Sequence, residues 1–349
     1  MNALFGGWRD IATVLWREHR WAFLIVCLSA ASLRVLDHTV APGLVGPLDG
    51  WWTGVFLVEL VPVVVVPVLV WQRLVLRRPW GVMTSAGPAA PVRLLGLALT
   101  LLLTRSAVIN AVSWKAGLPL LHPFAFDALL AGLDHALHHT DPWRLLRFLT
   151  RPRALRLVDA FYAAWYIAFF LVVVAWGWAR PSAQRRRFLT AMMLTWIVGS
   201  VLSVLVASAG PVYYNRVTGE PGPYLELIRR LHALPLAATR LQAQLWDAYV
   251  HPGVTFAKGI AAFPSLHVAM PALYAMSTPP RWHLTRWLWW GFTAVTLFAS
   301  VVLGWHYAVD GYAGILLAAG CWWVTGHLAH SSPLVKPAAM AVPIRARAG

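Results

Sequence analysis

The chain has 349 residues, of which 59% are hydrophobic and only 12% are charged, with 21 Trp and a formal net charge of +16. This composition excludes an ordinary water-soluble globular protein and indicates an integral membrane protein. The positive charge is then typical of segments at a membrane surface, so no nucleic acid is expected as a partner. Cys27 and Cys321 lie far apart in apolar runs, which favours neither a disulfide framework nor a thiolate metal site.

Eight apolar runs are candidates for membrane-spanning helices, since a helix needs about 20 apolar residues to cross a bilayer. They cover approximately residues 21–37, 51–71, 92–112, 158–178, 188–209, 264–276, 287–305 and 306–327. The sixth run is short and the last two abut, so seven or nine spans also fit. The predicted fold class is an all-α polytopic membrane protein, a helical bundle of about eight transmembrane helices. No cleavable signal peptide is expected.

The distribution of Lys and Arg predicts the orientation, because these residues accumulate on the cytoplasmic side. The clearest marker is the Arg185-Arg186-Arg187 triplet before the fifth run. The segments on that side contain only two acidic residues, Asp10 and Glu18. The predicted topology is N-in and C-in, in the cell (inner or plasma) membrane. The two long loops, before the fourth run and after the fifth, then lie outside, and within them residues 124–149 and 224–249 have the spacing of interfacial amphipathic helices. Simple interfacial packing is favoured for them over a role as a lid or lipid guide.

His306 and Asp310 stand four residues apart at the start of the last run. On a helix beginning at Gly304 or Trp305 they would share one face, so the carboxylate could accept a hydrogen bond from one imidazole nitrogen. The other nitrogen would then be free to act as a nucleophile or base. Polar groups at a membrane boundary are costly, which favours a functional role.

A second histidine, His267, follows Pro264 and Ser265 at the start of the sixth run. Pro in a first turn marks a helix start, and the unpaired N–H groups there favour an anion. Two such histidines suit phosphoryl transfer through a covalent intermediate, in which one histidine attacks and the other protonates the leaving group.

The two motifs, Pro264-Ser265-Leu266-His267 and His306-x3-Asp310, resemble the second and third motifs of the type 2 phosphatidic acid phosphatase superfamily. Within it, the chain is most similar to the branch of fungal inositol phosphorylceramide synthase, where Pro-Ser-Leu-His replaces the more usual Pro-Ser-Gly-His. Residues 159–166 (DAFYAAWY) and 207–214 (ASAGPVYY) also resemble that branch. The resemblance covers roughly residues 120–328. It divides the chain into an N-terminal membrane region (1–119, three spans), a catalytic membrane domain (120–328) and a cytoplasmic tail (329–349).

The resemblance implies a role for each residue of the two motifs. His306 would take the phosphoryl group as phosphohistidine and Asp310 would orient it. His267 would protonate the departing oxygen, and Ser265 would hold a phosphate oxygen. Such a mechanism needs no cofactor and no divalent metal. The one other polar cluster, His135, His138, His139 and Asp141, is interpreted as solvated and interfacial rather than as a metal site.

The chain departs from the family in its cations. The first motif, Lys-x6-Arg-Pro, is absent, and Ser300 stands where the third motif usually has Arg. The nearest substitutes in sequence are Arg216, after the Gly210-Pro211 turn, and Lys258, before Pro264. The stretch Arg144-x6-Arg151-Pro152 mimics the missing motif but precedes the fourth run, and chance explains it better.

Three functions follow as hypotheses. The first is a lipid phosphotransferase that moves a phosphate-containing head group between lipids at the extracytoplasmic face. The second is a phosphatase in which water takes the phosphoryl group from the same histidine, acting on a lipid phosphate or pyrophosphate. The third, from another class, is a non-catalytic membrane transporter or scaffold. For the first two, the partners are lipid substrates in the membrane.

Overall fold

The structure is a computed structural model that describes residues 2–39, 90–121, 123–251 and 259–330. This part of the chain is all helical and contains no strand, which confirms the predicted fold class. Five helices are long and apolar enough to cross a membrane, over Ile11–Leu36, Val92–Gly117, Pro152–Trp178, Ala183–Leu205 and Ala308–Leu328. They match the first, third, fourth, fifth and eighth predicted runs, whereas the second run, 51–71, lies outside the described residues.

The helices are numbered here in chain order. They are α1 (Asn2–Thr39), α2 (Ala90–Leu121), α3 (Asp127–His138), α4 (Pro142–Leu145), α5 (Pro152–Trp178), α6 (Ala183–Leu205), α7 (Tyr214–Thr218), α8 (Leu225–His232), α9 (Ala237–Val250), α10 (Leu266–Ser277), α11 (His283–Val302) and α12 (Ala308–His330). Short 3-10 turns occur at Arg147–Thr150, Pro211–Tyr213 and Pro280–Trp282.

The sixth and seventh predicted runs form α10 and α11. With only 12 residues, α10 is too short to cross a bilayer alone and is buried along almost its whole length between α6, α11 and α12. A short apolar run of this kind is typical of a core helix. The 20 residues of α11 are sufficient in length, but its first half contains Arg286 and three tryptophans, so it is less apolar than the five candidate spans.

A buried ion pair marks one end of the bundle. The Arg185 guanidinium, only 2% exposed, lies 3.1 Å from a Glu18 carboxylate oxygen and also donates to the carbonyl oxygens of Trp176 and Gly177. Arg186 contacts the same carboxylate at 3.4 Å. The predicted cytoplasmic arginines therefore bind α1 to α6 rather than forming only a solvated basic patch. A charge this deeply buried requires its partner.

The opposite end of the bundle carries both histidine motifs and is called the site end below. It includes the end of α6, which lies roughly 30 Å along the helix from the arginine triplet. The beginnings of α5, α10 and α12 and the ends of α2 and α11 also lie there. The motifs are thus separated from the arginines by the full length of a spanning helix.

The predicted amphipathic helices are present as α3 and α4 in one loop and as α8 and α9 in the other. In α3 the leucines Leu129, Leu133 and Leu137 are exposed, whereas Asp127 and Asp134 are buried. This arrangement is inverted relative to a water-soluble protein and fits a helix whose leucines face lipid. Its acidic face packs onto the site end.

Candidate active site

The two histidine motifs meet at the site end. His267 occupies the first turn of α10, and His306 lies in the turn just before α12. Their ring centroids are 6.4 Å apart. A backbone hydrogen bond of 2.9 Å from the Ser265 N–H to the Asp310 carbonyl joins the two helix starts. The motifs, 39 residues apart in sequence, therefore form one site.

His306 and Asp310 are paired, as predicted, but through a different local structure. The helix begins at Ala308, so His306 precedes it, and the expected start at Gly304 or Trp305 is wrong. Asp310 instead sits at the third helical position and accepts the Tyr307 backbone N–H at 2.9 Å through Oδ2, the reciprocal half of a capping box.

The same oxygen orients the imidazole. Asp310 Oδ2 lies 3.4 Å from Nδ1 of His306, an ion-pair distance that lacks the alignment of a good hydrogen bond. Asp310 is fully buried and His306 is 7% exposed. The arrangement leaves Nε2 of His306 as the nitrogen not engaged by the carboxylate.

Aromatic side chains of α5 surround His267. Tyr162 stacks on its ring with centroids 5.1 Å apart, Trp165 lies at 4.3 Å, and Tyr166 meets it edge-on at 5.8 Å. The Trp165 indole N–H also donates to the His267 carbonyl at 2.9 Å. Aromatic faces attract a cation, whereas burial and the neighbouring His306 and Lys115 lower the pKa of His267, so the neutral form of this imidazole is favoured. In the described chain, Nε2 of His267 is buried without a hydrogen-bond partner.

A cavity of about 210 Å³ opens onto both histidines. Its walls come from the end of α2, the first half of α5, the loop after α6, α9 and the segment leading into α10, with apolar side chains that include Leu241, Leu245 and Ile260. It is smaller than the roughly 300–1,000 Å³ typical of ligand pockets. The cavity can hold a phosphate and part of a head group but not the acyl chains of a lipid.

Two buried carboxylates of α3 hold the site in place. Asp127 accepts the backbone N–H groups of Ala209 and Gly210 and the Tyr307 hydroxyl, each at 2.8 Å at its closest. Asp134 accepts the Ala308 and Val309 N–H groups at 2.8 and 2.9 Å. Burial raises the pKa of both carboxyl groups, and the N–H donors act in the opposite direction.

Asp134 thus satisfies two of the orphan N–H groups at the start of α12, immediately beside His306. Sequence reasoning assigned no role to these aspartates. The available signal was their seven-residue spacing, which places both on one face of an otherwise leucine-rich helix.

We expect Asp134→Asn to destabilise the site, because an amide offers one acceptor and turns a donor toward the second N–H. Leaving a buried donor unsatisfied costs about 1–3 kcal/mol. The variant should unfold at lower temperature in detergent and lose roughly tenfold in turnover as the start of α12 shifts. Asp247→Asn, the same substitution at an exposed carboxylate of α9, is the matched control. Equal melting temperatures for the two variants and the parent would contradict this role.

The stretch 207–214, singled out in the sequence, wraps around the turn that carries His306. The Val212 N–H donates to the Gly304 carbonyl at 3.0 Å, and the Ser208 carbonyl accepts the Ala262 N–H at 2.8 Å. Gly210 has φ +101°, and a Cβ there would come 2.5 Å from the Trp305 carbonyl oxygen. Only glycine fits this position, for both reasons.

A sequence model described as the PAP2 superfamily matches residues 128–324, more than half of the chain. The chain belongs to the PAP2 superfamily. Members of the superfamily are phosphatases and phosphotransferases, so the protein is an enzyme with a lipid-related function of this type. Searches of curated proteins and of solved structures found no match. The matched range includes α3 and both histidine motifs, whereas α1 and α2 lie outside it.

The three predicted phosphate ligands of this PAP2 protein differ in their positions relative to the two histidines and the cavity. Ser265 is fully buried where the two motifs meet, and its hydroxyl has no hydrogen-bond partner among the described residues. It does not line the cavity. Arg216 is exposed on α7, with its guanidinium 4.9 Å from the Trp246 ring centroid, and does not line the cavity either. Lys258 lies outside the described residues.

Other polar residues considered from the sequence make contacts away from the cavity. Arg144 pairs with Asp141 at 2.8 Å. Ser300, in the place of the usual Arg, is fully buried, and its carbonyl accepts the Trp305 N–H at 2.9 Å, behind His306. His138 contacts the Tyr312 hydroxyl at 2.9 Å. Within the described ranges, no group of three metal-ligating side chains was found.

One cavity residue was missed by sequence reasoning. Lys115, near the end of α2, lines the cavity together with His267 and His306. It lies beyond the third predicted run, 92–112, whereas α2 continues to Leu121.

Proposed function

We propose that this PAP2 protein is a lipid phosphotransferase that moves a phosphate-containing head group between lipids through a phosphohistidine on His306. The observation that carries the proposal is the placement of His267 and His306 on one small cavity, 6.4 Å apart, with Asp310 behind His306. One imidazole is oriented by a carboxylate and the other is enclosed by aromatic rings, so the two are suited to different tasks.

In the first step, the lone pair on Nε2 of His306 attacks phosphorus, and the bond from phosphorus to the departing lipid oxygen breaks. The negative charge of the bound phosphate favours the protonated form of His267, which gives its proton to that oxygen. Asp310 stabilises the positive charge that develops on the His306 ring. The products are a head-group phosphohistidine and a lipid alcohol.

The second step reverses the first with a different alcohol. The acceptor hydroxyl attacks phosphorus, its proton passes to His267, and the phosphorus–nitrogen bond breaks to restore neutral His306. Ser265 is proposed to donate its hydroxyl to a phosphate oxygen during both steps. The apolar cavity wall and the similarity of the Pro-Ser-Leu-His motif to the inositol phosphorylceramide synthase branch favour a lipid hydroxyl over water as acceptor.

The site is proposed to face the extracytoplasmic side. The arginine triplet at the start of α6 marks the cytoplasmic end by the positive-inside rule, and the histidines lie at the opposite end of the same helix. The lipid head groups would therefore be exchanged in the outer half of the membrane.

Comparing the lipids of cells that contain the parent protein with those of cells that contain His306→Ala tests this function. Loss of a head-grouped lipid in the variant, with its unmodified acceptor alcohol accumulating, is the expected result. Build-up of a lipid phosphate instead would favour the hydrolase. Identical lipid profiles, together with no turnover of any lipid phosphate by the purified parent protein, would reject both.

Chelation of divalent metals is expected to leave turnover unchanged, because the proposed steps use only imidazole and carboxylate groups. The purified enzyme would be assayed with and without EDTA after dialysis. Activity that is abolished by EDTA and restored by Mg²⁺ or Zn²⁺ would contradict the mechanism.

A further inference from the structure

The cavity must balance the negative charge of the phosphate, and this chain lacks the cations that its family's first and third motifs would supply. In phosphoryl transfer, positive groups that contact the equatorial oxygens provide much of the catalysis. A cation from another part of the chain should therefore reach the cavity.

Lys115 is the one Lys or Arg that lines the cavity in the part of the chain the structure describes. Its side chain is half-buried near the end of α2, and after burial and His306 it is a further cause that lowers the pKa of His267. Its backbone packs against Gly259, where a Cβ would come 2.6 Å from Cβ of Lys115. Gly259 also has φ +85°, so the segment that leads into α10 is shaped to fit closely against this lysine.

Among the residues that the structure describes, no carboxylate pairs with the ammonium group. No ion pair of Lys115 is found among the described residues, and the segment 252–258 contains no acidic residue. Asp159, the one described carboxylate that lines the cavity, accepts the Ala237 and Ala238 N–H groups at 2.7 and 2.9 Å. A half-buried lysine that has no acidic partner within the described ranges is suited to bind an anion.

We propose that Lys115 binds the phosphate oxygens of the head group while the phosphoryl group passes to and from His306. This inference rests on the proposed function and assigns its missing counter-charge. It also makes α2, outside the range that matches the family, part of the active site.

The test compares Lys115→Met and Lys115→Arg with the parent enzyme in detergent. We expect Lys115→Met to lower kcat/KM by about 10²- to 10³-fold, as for loss of one charge-stabilising group, and Lys115→Arg to retain most of the activity. Arg156→Met, which removes an exposed cation near the start of α5, is the matched control and should stay within about twofold of the parent.

Binding of inorganic phosphate or vanadate provides a readout independent of turnover. The parent should be stabilised against thermal unfolding by either anion, and Lys115→Met should require at least tenfold more anion for the same shift. If the parent turns over no lipid but Lys115 still controls anion binding, the proposed function fails, and only the assignment of Lys115 as the anion-binding residue of the cavity survives. If lipid turnover and anion binding are both unchanged in Lys115→Met, the inference is overturned while the function stands.

Chemical rescue covers the case in which Lys115→Met does not fold. Lys115→Cys can be alkylated after purification with bromoethylamine, which restores an ammonium, or with iodoacetamide, which adds a neutral group. Recovery of activity with the amine alone supports the proposal, and no difference between the two reagents overturns it. The parent, treated in parallel, controls for Cys27 and Cys321.

Discussion

Replacing His306 with alanine is expected to lower turnover by at least about 10⁴-fold, the scale of loss when a nucleophile is removed from a covalent mechanism. The replacement also removes the imidazole whose Nδ1 lies 3.4 Å from the Asp310 carboxylate. Steady-state assays with a labelled donor lipid would measure the change.

The fold should survive this replacement, because the start of α12 is held by the Asp134 and Asp310 contacts to backbone N–H groups rather than by the imidazole. His283→Ala, at the exposed start of α11 and distant from the site end, serves as control. A His306→Ala enzyme that melts like the parent and keeps more than a few per cent of its activity would show that His306 is not the nucleophile.

Replacing His267 with alanine should have an effect that depends on the leaving group. With a lipid donor, loss of the general acid is expected to slow the reaction by about 10²- to 10⁴-fold. With a p-nitrophenyl ester of the same head-group phosphate, the departing oxygen needs no proton, and formation of the phosphohistidine should be nearly as fast as in the parent.

A pre-steady-state burst of p-nitrophenol measures that first step directly. With the p-nitrophenyl donor, His306→Ala should give no burst and His267→Ala should retain it, which separates the two histidines. An equal loss for both donors in His267→Ala would assign His267 a structural role in place of proton transfer.

The sequence predicted which side chains meet at the site better than it predicted the local structure that brings them together. The four-residue spacing of His306 and Asp310 gave the correct pair, because a helical turn or a tight turn brings two residues at this spacing into contact. It did not predict that the helix begins at Ala308, since a capping box forms from the Tyr307 N–H and the Asp310 carboxylate. Local spacing determines the contact, and the cap determines where the helix starts.

The roles of Asp127 and Asp134 could not be read from the sequence, because their partners are backbone N–H groups far along the chain. Lys115 was missed for a similar reason. Its place at the cavity depends on how α2 packs against α5 and α6, and neither motif spacing nor hydropathy specifies that packing. The burial of Arg185 against Glu18 likewise requires α1 and α6 to be neighbours.

The most direct test of the account is to quench the enzyme in alkali during turnover of a labelled donor and to locate the label by mass spectrometry. Phosphohistidine survives alkali and is lost in acid, so the account predicts an alkali-stable, acid-labile head-group phosphate on the peptide that contains His306. The label should be absent from His306→Ala and should accumulate when the acceptor lipid is withheld. Turnover without any labelled peptide, or label on His267 instead, would contradict the account.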